Sequence, residues 1–236
     1  MNTMLENKEG PFNNLEIKRL NEAVWAVNVE HLMPADWKEQ INEVVANCSR
    51  SVTLVGGEVE TSLEDPDFTT FYRVVKGDEE DIENRLPWLW ILYQGTFREL
   101  VSHVAGHEVI VDPEKEFSVN INQLDRDDQI DGYELHTDTN PWTAMLAVTT
   151  MHEGDGGELI HKLPDGTIRE TRIKAGYLYL FDGRNYPHKV YLLNPEGNAK
   201  TRTTVPMDYV FPGWNQKRPP KMKKIFGIRN GNGNGK

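Results

Sequence analysis

The residues best suited to chemistry lie in the second half of the chain. His136-Thr137-Asp138 sets an imidazole and a carboxylate two positions apart. Alternate side chains of a β-strand share a face, so these two could grip one ion. His188 comes later, after an apolar run and an Asp182-Gly183 turn, at the start of another strand-like segment. Two imidazoles and a carboxylate on one side of an ion leave its other side open, which suits non-haem Fe(II). Zinc accepts the same ligand types, although a catalytic zinc needs only one open position. Arg202 follows His188 by fourteen positions, in the segment TRTTVPMDY. An arginine there can pair bidentately with a carboxylate, and Thr204, two residues on, shares its face. Alone, the His-x-Asp triplet is weak evidence, because seven histidines among 37 acidic residues produce such triplets by chance. The plainer readings are a buried histidine bonded to a structural carboxylate and, for Arg202, a surface ion pair, with Lys200 or Arg184 then the anchoring cation.

Short strand-like segments must position these residues. They read as Glu108–Val111, Phe117–Leu124, Tyr133–Asp138, Thr143–Thr150, Glu158–Leu163, Thr167–Ile173, Gly176–Phe181, His188–Leu193 and Arg202–Val210. Turn signals separate them, among them Gly154-Asp155-Gly156-Gly157, Asp165-Gly166 and Pro195-Glu196-Gly197. Strands at this spacing predict a β-sandwich or jelly roll. Before them, Ala23–Val29 reads as one strand. Trp37, Ile41, Val44 and Val45 recur at helical spacing after Pro34. A second helical region spans Asp78 to Ala105, with four acidic residues crowding its first turn and Pro87 expected to break it. The fold class expected is therefore mainly β with N-terminal helices, an α+β arrangement in which the helices pack on one sheet. Residues 15–215 would form a single domain between a frayed segment 1–14 and a basic tail 216–236.

Composition narrows the classes of function. The chain has 236 residues, with 26 basic and 37 acidic, a net charge of −11. From Gln216 onward there are seven basic residues and no acidic ones, so the body is more acidic than the total. An acidic body repels phosphate backbones and is a poor fit for nucleic acid. No run reaches the roughly 18 apolar residues of a membrane span. The lone Cys48 excludes an internal disulfide and a cysteine-based zinc site. With no apolar signal segment near the N-terminus, a cytoplasmic location is expected. The Asn-Gly repeats of the tail read as a flexible, solvated end.

His136-Thr137-Asp138, then Pro187-His188-Lys189-Val190, then Arg202-Thr203-Thr204 resemble the Fe(II)- and 2-oxoglutarate-dependent oxygenases. The stretch AGYLYLFDGRNYPHKV is similar to the corresponding segment of their prolyl-hydroxylase-like branch. The resemblance covers Phe117 to Tyr209 and is specific in residue order and spacing. It implies a double-stranded β-helix (a jelly roll of the cupin kind), with Fe(II) on His136, Asp138 and His188. It also implies 2-oxoglutarate held at its distal carboxylate by Arg202 with Thr204, consumption of O₂, and succinate and CO₂ as co-products. Related halogenases lack the triad carboxylate. Asp138 is present, so hydroxylation is implied, with desaturation or cyclisation as relatives of the same chemistry.

Other residues are candidates for the pocket. Ser118, Asn120 and Asn122 share a polar strand face. In the family that strand lines the pocket, which makes Asn122 a 2-oxoglutarate contact and Asn120 a substrate contact; solvent exposure is the alternative. Glu134 and Asp208 could meet a cationic substrate group or face solvent. Trp142 and Trp214 are wall candidates, with core packing as the alternative. His31, His103, His107, His152 and His161 read as ordinary surface or core residues. The loops Asp125–Asp131 and Arg184–Pro187 are candidate rims. The expected partner is a small-molecule substrate, foremost a free amino acid, with a basic one such as lysine suiting Glu134 and Asp208. A peptidyl (prolyl- or aspartyl-type) hydroxylase would use the same chemistry. A nucleic-acid demethylase has only the basic tail in its favour. A non-catalytic jelly-roll binder has no need of a complete triad plus arginine.

Overall fold

The strand that follows the His-x-Asp triplet explains the architecture. Trp142–Ala147 (β7) is buried at every position, which requires cover on both faces of its sheet. The computed structural model describes residues 15–47, 52–53, 74–113, 118–127 and 135–215. Within them, β7 lies inside a nine-stranded sheet. The other strands are β1 (Ile17–Arg19), β2 (Val24–Asn28), β3 (Val52–Thr53), β4 (Val74–Gly77), β5 (Ile110–Val111), β6 (Ile121–Asp125), β10 (Tyr177–Phe181) and β12 (Thr201–Val210). Their order is β1-β2-β10-β7-β12-β6-β4-β3, with β5 added against β12. A smaller sheet, β11-β8-β9, is built from His188–Val190, Leu159–Lys162 and Ile168–Thr171. All pairings are antiparallel.

Alternation sorts the side chains of the large sheet into two cores. Ala144, Leu146, Leu178, Leu180, Val205, Met207 and Tyr209 face the helices. Met145, Ala147, Tyr179, Phe181 and Leu124 face inward and pack with Leu159, Leu163 and Leu193 of the small-sheet side. Burying a residue such as Leu146 or Leu159 contributes about 1.5–3 kcal/mol. The two cores therefore hold the large sheet from both sides.

The helical layer forms as its periodicity predicts. In α1 (Trp37–Ala46), Trp37, Ile41 and Val44 are buried and Val45 is half-buried. At the start of α2 (Glu79–Arg85), Asp78 and Asp81 form a reciprocal capping box. This satisfies two backbone donors that the first turn leaves open. Pro87 begins α3 (Pro87–Leu92) and separates it from α2, as expected from its missing N–H. A π-helical turn at Tyr93–Phe97, unmarked by any residue pattern, joins α3 to α4 (Arg98–Ala105). α4 ends at Gly106 in the left-handed conformation.

Three expectations are corrected. Tyr133–Asp138 does not form a strand in its described part; His136 makes an isolated bridge to His188 instead. The segment expected at Phe117–Leu124 is regular only from Ile121, with Val119 bridging Met207 alone. β1, β3 and β4 were not expected; they are short and lack the alternation that marks the others. Cys48, Phe117, Glu134, residues 1–14 and the tail 216–236 lie outside the described residues. Among the described residues no helix is long and apolar enough to cross a membrane.

Candidate metal centre

Backbone pairing brings the three predicted ligands together. His136 and His188 exchange both backbone hydrogen bonds, at 3.0 and 2.8 Å. The Asp138 N–H donates to the Gly183 carbonyl at 2.8 Å, tying the triplet to the turn before β11. Asp138 thus reaches the site through a loop contact, not through the regular strand expected. One ligand atom from each of His136, Asp138 and His188 lies within 4.8 Å of the other two. Asp138 Oδ1 is 3.7 Å from His136 Nε2, and Oδ2 is 3.5 Å from His188 Nε2. His188 Nδ1 lies 3.1 Å from the Tyr186 carbonyl. A carbonyl only accepts, so Nδ1 carries a proton and Nε2, which faces Asp138, is the nitrogen a metal would take.

The electrostatics favour the deprotonated carboxylate such a site needs. Burial opposes ionisation of Asp138. The His188 charge and hydrogen bond, then His136 and the Thr143 hydroxyl, outweigh it and hold the carboxyl well below the usual range. Burial likewise opposes protonation of His188, but Asp138 beside it raises its pKa. A metal would replace that proton, so binding should release it. Two imidazole nitrogens and a carboxylate oxygen converging here are a donor set that would fit Fe(II).

Several residues fix this geometry that the sequence did not single out. The Thr143 hydroxyl donates to Asp138 Oδ2 at 2.7 Å. Gly183 leaves room for the carboxylate: a Cβ there would overlap Asp138 Oδ2 and come within 2.9 Å of Cγ. His161, read as an ordinary residue, is fully buried and opposite His188 in the β8–β11 register. Its ring stacks on His188 at 5.6 Å and meets Phe181 edge-on at 5.0 Å. Neither ring nitrogen has a hydrogen-bond partner. Burial, and then the His188 charge, push its pKa down to about 3. The visible signal was its place on an apolar strand; its ring neighbours come from the register.

Arg202 lies on the same inner face, 3% exposed. Its Nε donates to the Gly157 carbonyl at 2.8 Å; Nη1 is 3.5 Å from the Thr204 hydroxyl and Nη2 3.9 Å from Met145 sulfur. Gly157 is left-handed, and a Cβ on it would press to 3.0 Å on the Arg202 Cδ. Asn122 stands opposite Thr204 in the β6–β12 register, which puts both on one face. Asn120 continues that face and is buried. Asp208, half-buried, is opposite Thr143 and so beside the triad. The inner face of β12 therefore runs from a guanidinium to a carboxylate, with His136, Asp138 and His188 near the carboxylate end.

Two candidates resolve differently. Trp142 is not a pocket wall: it is one residue out of phase with Thr143, so it packs in the helix-side core, 5.8 Å from Trp25. Trp214 is half-buried at the rim, where Arg184 lies 5.7 Å over its ring. Lys200 is exposed, which leaves Arg202 as the inward cation of this strand. His31, His103, His107 and His152 are exposed.

No family model and no curated protein sequence matches the chain. Solved structures do. An oxidoreductase of the 2OG-Fe(II) oxygenase family from Burkholderia pseudomallei superposes with a TM-score of 0.57 at 13% identity, covering 84% of this chain and 89% of that one. AviO1 from Streptomyces viridochromogenes Tue57 gives 0.58 at 12% identity, with 84% and 93% covered. A prolyl hydroxylase from Trichoplax adhaerens, in complex with a peptide fragment of the hypoxia inducible factor oxygen degradation domain, gives 0.56 at 12%, with 81% and 84% covered. The chain has the jelly-roll fold of these structures.

Proposed function

We propose that this protein is an Fe(II)- and 2-oxoglutarate-dependent dioxygenase that hydroxylates a small polar substrate. The observation that carries the reading is the convergence of His136, Asp138 and His188 in a jelly roll whose interior also holds the buried Arg202. His136, Asp138 and His188 would hold Fe(II), which supplies activation of O₂ against an unreactive C–H bond. The protein's share is placement and exclusion. Arg202, with Thr204 beside it and Asn122 opposite, forms the cationic seat for the distal carboxylate of 2-oxoglutarate. Met145, its sulfur 3.9 Å from Arg202 Nη2, gives that seat an apolar neighbour that keeps bulk water away. Asp208 lies beside the triad, with Asn120 on the same face, where a cationic substrate group would be matched. We infer a free amino acid as substrate, with a basic one such as lysine the first to try.

Anaerobic addition of Fe(II) and 2-oxoglutarate should produce a weak visible charge-transfer band in the wild type and none in His188→Ala. With O₂, a substrate should raise succinate formation above the rate without it. Absence of the band in folded, metal-loaded wild type would end the oxygenase reading. A band without stimulation by any amino acid would end the substrate assignment alone.

A further inference from the structure

Asp138 is held by a buried pair outside the ligand set. Asn140 and Thr143 are each 4% exposed. Asn140 Nδ2 lies 2.8 Å from the Trp142 carbonyl and 3.0 Å from Thr143 Oγ1. The carbonyl can only accept, so the atom facing it is the amide nitrogen; the flip ambiguity of an asparagine is settled here. The same NH₂ group then donates to Thr143 Oγ1. That leaves the hydroxyl's one hydrogen for Asp138 Oδ2, 2.7 Å away. A direction follows: Asn140 to Thr143 to Asp138. The absence of a side chain at Gly183 completes the socket around the same oxygen.

We propose that Asn140 and Thr143 form a one-way hydrogen-bond relay that locks the Asp138 carboxylate in its ligating orientation, with Oδ2 engaged and Oδ1 turned toward His136. Both are positioning residues, and the proposal rests on the metal-centre reading above. Partners of this kind orient ligands and tune affinity without touching the metal.

The test is Mn(II) affinity, read from the electron paramagnetic resonance signal of the free ion, beside urea unfolding of the metal-free protein. Thr143→Val keeps the branched shape and removes the hydrogen; its Mn(II) dissociation constant should rise by about 10- to 100-fold. Thr143→Ser keeps the hydrogen and should bind Mn(II) nearly as wild type does. Asn140→Asp keeps the shape but reverses the relay, since a carboxylate draws the Thr143 hydrogen away from Asp138; its affinity should fall with that of Thr143→Val. If Asn140→Asp fails to fold, the two Thr143 variants decide. Thr143→Val binding like wild type would overturn the relay, and so would equal losses in Val and Ser variants. Wild type that binds Mn(II) but shows no effect of 2-oxoglutarate would remove the oxygenase reading and leave the relay standing. Wild type that binds no Mn(II) would remove both.

Discussion

His161 sets a stability cost that depends on pH, and its size can be worked from the structure. The imidazole is fully buried, and its pKa is pushed down to about 3. In the unfolded chain it returns to about 6.5. Between these values the unfolded state binds a proton that the folded state refuses. The stability is therefore whole above about pH 6.5 and is lost as pH falls toward 3. From pH 7 to pH 5 the loss from this group alone is about 2 kcal/mol. His161→Leu removes the titration at little change in volume, and it removes two unmet buried nitrogens. Urea unfolding of both metal-free proteins at pH 7, 6 and 5 isolates the effect, because His188 and Asp138 titrate in each. The leucine variant should be about 1–2 kcal/mol more stable at pH 7. Its advantage should widen by about 2 kcal/mol at pH 5, a shift near 1 M in midpoint for a slope of about 2 kcal/mol per M. A gap that stays constant with pH would refute the neutral, buried imidazole. A leucine variant weaker than wild type at pH 7 would show that ring stacking on His188 outweighs the unmet nitrogens.

Further expectations concern the two glycine-lined contacts. Gly183→Ala should push Asp138 aside by on the order of 1 Å, costing about 100-fold in turnover. Unchanged Mn(II) affinity by calorimetry would show that the carboxylate escapes the methyl group. Asp155 accepts from the backbone N–H groups of His152, Asn198 and Ala199 at 2.7–3.1 Å. Asp155→Asn should destabilise the fold by about 1.5–3 kcal/mol, the range for a charged hydrogen-bond partner. It should also weaken 2-oxoglutarate binding, because this loop carries the Gly157 carbonyl that receives Arg202. The His152 N–H, and then those of Ala199 and Asn198, hold the Asp155 carboxyl below its ordinary value. Its stabilisation is thus present above the unfolded value near 4 and fades as pH falls through the lowered one, so the wild-type advantage in thermal melts should shrink in acid. A pH-independent advantage, or unaltered 2-oxoglutarate affinity, would contradict these links.

The parts legible in the sequence are those carried by a short period. The strands from β7 to β12 were found within a few residues because their alternation or continuous apolar character is local. α1 and the break at Pro87 were legible for the same reason. The cluster of His136, Asp138 and His188 was legible through residue type and order, and the neighbouring structures bear out the fold that the resemblance implied. The rest depends on partners distant in the chain. β1, β3 and β4 are defined by what they pair with. Trp142 stayed open between pocket wall and core because neither neighbour in sequence says which face of β7 meets the helices; the register puts it in the core. The role of Gly183 appears only when the turn lies against Asp138, forty-five residues before it in the chain. His161 is silent for the same reason: its stacking partner belongs to another strand.

β12 has one further consequence, for how such a chain can change over generations. Arg202, Thr204 and Asp208 line the barrel, while Val205, Met207 and Tyr209 hold the helices. One inserted residue after Thr204 would exchange every later assignment, sending Asp208 among the helices and Met207 into the barrel. Length drift is therefore barred from this strand, and the connection before it is pinned as well, by the buried Leu193 bridging Gly156 and by Asn198 and Ala199 donating to Asp155. The spacing from Arg202 to Asp208 is set by the pleat, which keeps both on one face. Descendants that have lost every recognisable neighbour in sequence would still keep that internal interval.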